Sequence, residues 1–147
     1  MKIAIFHNFM DNIGGAEYVD LILARELGAD IYTSNIDKTK IRKMGFGTDN
    51  IYSIGKIPIN APQKQELAYW RFKKLNLGRK YDYYIMGGDW AVSAARLNKP
   101  NLWYVYSPIR EIWDLYEYTK KNTVAWYKGW IFALWVAFHR FLNKRDI

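Results

Sequence analysis

The sequence contains no cysteine. Disulfides, thiolate metal sites and thiol nucleophiles are excluded, and the absence fits a reducing, cytoplasmic setting. Histidine is scarce too. His7 and His139 are the only two and lie far apart, which argues against a His-rich metal site. The opening residues are not expected to be a secretory leader: the apolar run after Lys2 is short, and polar His7 and Asn8 follow at once. The most apolar stretch covers residues 129–138, between Lys128 and His139–Arg140. A membrane span needs roughly 20 such residues, so surface contact with a bilayer, or burial against another domain or partner, is expected there instead. Acidic residues are the minority. Against 22 Lys and Arg stand 14 Asp and Glu, a net charge of +8, which favours anionic partners: nucleic acid, an anionic membrane face or phosphorylated small molecules.

What is present is a chain of 147 residues, half of them hydrophobic, with 18% aromatics. That is enough for one domain with a core, and it is not the composition of a disordered chain. Short β-branched or aromatic runs alternate with helical periodicities. Strands are expected at 2–7, 29–33, 50–54, 81–86 and 101–106. Helices are expected at 16–27, 37–44, 63–77, 89–97, 110–118 and 122–143. Gly28 and Gly78 read as helix stops, and Pro58 and Pro62 as the brackets of a turn. Strand–helix alternation predicts an α/β fold: a single Rossmann-like domain whose parallel sheet is covered by helices on both faces.

Ligands of such sheets bind beyond the carboxyl ends of the strands. Three turns there are unusual. After the first strand, residues 11–17 carry Gly14 and Gly15 at a helix start, where free N–H groups and the positive helix end suit a phosphate. Taken by itself, the glycine pair reads first as a plain tight turn into the helix, with Glu17 complementing the dipole. After the fourth strand comes Gly87–Gly88–Asp89–Trp90, with Asp89 placed as an N-cap. After the fifth, Tyr106–Ser107–Pro108 leads to Arg110, whose charge opposes a helix N-terminus. An anionic ligand would explain it, as would a salt bridge to Glu111 or Asp114. Neither a Walker loop nor the three-glycine dinucleotide fingerprint is present, which weakens a dehydrogenase-like reading.

These blocks, in this order, resemble the N-terminal domain of family-four glycosyltransferases, retaining enzymes of the GT-B fold. The resemblance spans residues 1–116. It rests on Gly14–Gly15–Ala16–Glu17, on Gly87–Gly88–Asp89–Trp90–Ala91, and most specifically on Tyr104–Val105–Tyr106–Ser107–Pro108–Ile109–Arg110 with Trp113–Asp114. It implies an acceptor-side half of an enzyme that moves a mannosyl- or glucosyl-type hexose from a nucleotide-sugar to a glycan or lipid-linked acceptor. The donor would be shared with a second, C-terminal domain that residues 1–147 do not supply, leaving this half inactive alone. It implies no metal and no other cofactor. Donor diphosphate and substrate contacts would fall on Gly14, Gly15, Gly88, Asp89, Tyr106, Ser107, Arg110 and Trp113. Tyr106 stands where the family commonly has His, so a neutral positioning group is expected there and no catalytic base is named. The alternative is a non-catalytic acceptor- or membrane-binding subunit that partners a separate donor-domain chain.

Residues 63–80 add a basic, aromatic helix. Trp70, Arg71, Lys73 and Lys74 are expected to touch an anionic membrane at its inner face, or a lipid-linked phosphate. A solvated basic face over an aromatic core is the other reading. Nucleic acid is not expected as a partner, since no helix-turn-helix or stacking-platform pattern is present.

Overall fold

The computed structural model describes residues 1–60 and 63–147. Five strands form one sheet: β1 (Ile3–Phe6), β2 (Asp30–Thr33), β3 (Ile51–Ser53), β4 (Tyr83–Met86) and β5 (Asn101–Trp103). Every pairing is parallel, in the order β3-β2-β1-β4-β5. The order reverses between β1 and β4, which puts a topological switch point, the usual ligand crevice of such sheets, at their carboxyl ends.

Period-two alternation sorts the strand side chains onto two cores. Ile3, Ile5, Ile31 and Ile85 face one side, where Leu21 and Ala24 of α1 (Gly15–Leu27) and Ile41 of α2 (Lys38–Lys43) cover them. Ala4, Phe6, Tyr32, Tyr84 and Met86 face the other. There they meet Phe72 of α3 (Gln63–Lys74) and a 3-10 turn at Ala91–Ala94. Helices thus cover both faces, and the fold is the expected α/β, Rossmann-like domain. A third cluster of Tyr69, Trp90, Ile109, Ile112, Val136 and Leu142 docks α5 (Gly129–Asp146) onto α3 and that turn.

Several expected elements differ. Gly28 does close α1 in the left-handed region at φ 61°, and Gly78 adopts φ 58°. The helix expected at 89–97 contracts to the 3-10 turn, after which the Asn98 side chain donates to the Ala94 and Leu75 carbonyls. β5 stops at Trp103, and the chain then crosses toward β1. The helix expected at 110–118 starts only at Tyr116, as α4 (Tyr116–Asn122); before it, the amides of Ile112, Trp113 and Leu115 reach back three, four and five residues, a mixed set of turns. The long last helix is split, with a 3-10 turn at Trp126–Lys128 ahead of α5. The turn expected between Pro58 and Pro62 runs into 61–62, outside the described residues. No helix among the described residues is long and apolar enough to cross a membrane.

Candidate functional site

All three unusual turns follow carboxyl ends of parallel strands, so they share one rim. Asn8 and Asp20, which flank the first turn, bond to the other two. Asn8, just after β1, donates from Nδ2 to Asp89 and accepts at Oδ1 from the amides of Trp90 (3.1 Å) and Ala91 (2.8 Å). Asn8 therefore caps the Ala91–Ala94 turn together with Asp89, whose carboxylate accepts from the Trp90 amide at 2.8 Å. Burial pushes the Asp89 carboxyl up from its ordinary range.

At the switch point sits a buried polar network. His7 closes β1 and is 3% exposed; Asp20 lies on the sheet-facing side of α1 and is fully buried. His7 Nδ1 is 2.6 Å from Asp20 Oδ2, and Nε2 is 3.0 Å from Glu17 Oε1. Tyr106 donates its hydroxyl to the other oxygen of Asp20 at 2.6 Å. Burial alone would discharge the imidazole. The hydrogen bonds and charges of Asp20 and Glu17 outweigh it and raise the His7 pKa to about 9. His7 is thus an imidazolium held between two carboxylates. Tyr106 is pushed upward by burial and by its bond to Asp20, so it stays a neutral donor.

The glycines divide into two kinds. Gly87 and Gly88 are required by packing. A β-carbon on Gly87 would lie 2.1 Å from Asp20 Oδ2, and one on Gly88 would lie 2.6 Å from the Asn8 backbone nitrogen. Their amides both donate to the Phe6 carbonyl. Gly14 and Gly15 are exposed, and a β-carbon on Gly15 would meet nothing within 4 Å. The Glu17 carboxylate accepts from the Gly14 amide at 2.8 Å, half of a capping box. The Gly15 and Ala16 amides belong to the first turn of α1 and have no intrahelical acceptor.

No protein-family model, curated protein or solved structure matches the chain.

The remaining expected residues fall outward from this network. Ser107 is half-buried beside Tyr106. Arg110 is exposed and pairs with Asp114 (3.2 Å), the local partner that accounts for its position. Trp113 donates to Asn143 of α5 at 3.2 Å and lies under Arg140, so it secures α5. On α3, Trp70 donates to Glu66 (2.6 Å), Arg71 binds the Gly55 and Lys56 carbonyls, and Lys73 contacts both oxygens of buried Asp146 at 2.8 Å. Lys74 alone of the four projects into solvent.

A cavity of about 760 Å³ opens between α3, α4 and α5, lined by Glu66, Trp90, Glu111, Tyr118, Phe132 and Trp135. Buried His139 packs against Trp90 and Trp135, with Nε2 2.8 Å from Glu66 Oε2 but out of hydrogen-bond alignment; burial lowers its pKa against the pull of Glu66. Sequence reading had missed Asn8, Asp20 and the cavity. Glu17 and Asp20, three apart on a helix that must face the sheet, were the available signal for a partner to His7.

Proposed function

We propose that this chain is the acceptor-side half of a retaining glycosyltransferase. It would accept a mannosyl- or glucosyl-type hexose from a nucleotide-sugar, delivered by a separate donor-binding domain, onto a glycan or lipid-linked acceptor at a membrane surface. The observation that carries this is the convergence of the three glycine- and tyrosine-bearing turns on the switch-point rim, welded by the His7–Asp20–Tyr106 network. Burying a carboxylate and an imidazolium for packing alone is costly, and hydrophobic residues would fill the space more cheaply.

In this reading, the outward amides of Gly15 and Ala16, at the positive end of α1, meet the developing charge on the departing diphosphate. The His7 charge holds Glu17 folded back toward the imidazole, and Tyr106 acts as a positioning residue through Asp20. The cavity beside Trp90 suits a sugar ring of the acceptor. Aromatic faces at Trp90, Phe132 and Trp135 would stack on its C–H surface, and Glu66 and Glu111 would accept hydrogen bonds from its hydroxyls. The described residues do not make up a complete donor site, so the donor is expected to bind weakly here.

Calorimetry with UDP-glucose and GDP-mannose tests this. Weak binding, competed by pyrophosphate, supports the division of labour. Sub-micromolar binding of a nucleotide-sugar to this chain contradicts it.

A further inference from the structure

The outer face of α5 is apolar and uncovered. Trp130, Leu134, Phe138 and Phe141 follow one another at intervals of four, four and three residues, a single stripe on a helix. They are 66%, 64%, 48% and 59% exposed, and Trp126, just ahead of the helix, is 92% exposed. A soluble monomer rarely leaves so continuous an apolar surface to water. The same face carries charge of one sign. Lys144 and Arg145 are exposed at its carboxyl end. The one acid of the helix, Asp146, is buried and bound by Lys73 on the opposite side.

We infer that this face of α5 lies in the interfacial plane of an anionic bilayer. The inference rests on the membrane-surface part of the proposal above and names the contact. Two observations choose lipid over a second copy of the chain. A symmetric dimer through this stripe would bring cationic faces together with no exposed acid on α5 to meet them. The stripe is also rich in Trp and Phe, with Tyr127 exposed beside it; Trp and Tyr favour the headgroup boundary, where one end of the ring stays wet. The stripe from Trp130 to Phe141 is roughly 16 Å long at the α-helical rise, enough to lie flat and too short to cross. Contact thus moves from α3, where Trp70, Arg71 and Lys73 are engaged internally, to α5.

The test is flotation of the chain with vesicles of phosphatidylcholine alone and of equimolar phosphatidylcholine and phosphatidylglycerol. Binding is expected to the second kind and to weaken with added salt. Trp130→Ser with Leu134→Ser, and separately Lys144→Gln with Arg145→Gln, should each weaken it about tenfold or more, given the transfer of exposed apolar surface and the attraction of each cation to anionic lipid. All four side chains are exposed, and Lys144 gives up a 5.8 Å approach to the Trp113 ring, so thermal melting should change little. Lys74→Gln on α3 should bind like the parent. Absence of vesicle binding, loss of binding in Lys74→Gln alone, or self-association in the ultracentrifuge that Trp130→Ser abolishes would each overturn the inference. Pyrophosphate binding by the same variants separates the two ideas. If it persists while vesicles fail to bind, the bilayer surface falls and the transferase site stands; if it is absent while vesicles bind, the reverse holds.

Discussion

Gly87 and Asp20 touch in a way that leaves no room for a side chain: a β-carbon on Gly87 would sit 2.1 Å from Asp20 Oδ2. Asp20 cannot retreat, because His7 and Tyr106 hold both of its oxygens. Gly87→Ala is therefore expected to destabilise the fold by roughly 1–3 kcal/mol, the range for overpacking a filled site. Gly15→Ala is the contrast. It enters open space in the first helical turn and should be neutral or stabilising by up to about 1 kcal/mol, while its methyl group obstructs a phosphate approaching the amide. Urea melts of the two variants check the pair.

His7 gives the fold a pH dependence of definite sign. Its pKa rises from 6.5 to about 9 on folding. The folded state holds this proton more tightly, so the stabilisation is complete below pH 6.5 and fades as pH rises through 9. A shift of this size corresponds to about 3 kcal/mol. Stability measured across that window should fall in the parent more steeply than in His7→Gln.

Lys73 was read from sequence as a membrane or acceptor contact, and its position on the basic helix made that natural. It grips Asp146, fully buried at the end of α5, with the Tyr69 hydroxyl donating to the same carboxylate at 2.6 Å. Burial, then that carboxylate, pushes the Tyr69 phenol upward. Lys73→Met should leave a buried charge without its cation and cost roughly 3 kcal/mol, seen as a lowered melting temperature. Lys74→Gln, one residue on but exposed, should change the melt little.

Tyr106→Phe removes one donor from Asp20 and keeps the ring. The expected cost is about 1–2 kcal/mol. Asp20 should then bind the imidazolium more tightly, so NMR titration of His7 should show its pKa rise further. An unchanged His7 titration would detach Tyr106 from the network.

The layers of the fold were legible because strands and helices write different periods into the chain, as Ile3 and Ile5 against Ala4 and Phe6 show. Gly28 was legible because a left-handed cap has few other candidates. Less legible were the stretches whose shape is set by distant partners. Tyr104 and Val105 have strand propensity, yet the chain leaves the sheet there to deliver Tyr106 to Asp20, a partner 86 residues away. Residues 110–115 have a helical pattern, but the burial of Ile109 and Ile112 against α5 imposes tight turns. At the candidate site, the glycine pair Gly87–Gly88 stood out in the sequence, but not the reason the structure gives for it, close packing. Asp20 and Asn8, distant in sequence, fill the space above them. Asp20 itself looks like any polar helix residue until the sheet covers it.

The central claim is that the rim where the three turns meet presents the α1 amino end to a diphosphate. Its most direct test is a ¹H–¹⁵N titration of the chain with pyrophosphate, UDP-glucose and GDP-mannose. The account predicts that the amides of Gly14, Gly15 and Ala16 move first, with His7 and Tyr106 responding, at weak affinity for all three ligands. Shifts confined to other parts of the molecule, or none at saturating ligand, would contradict it.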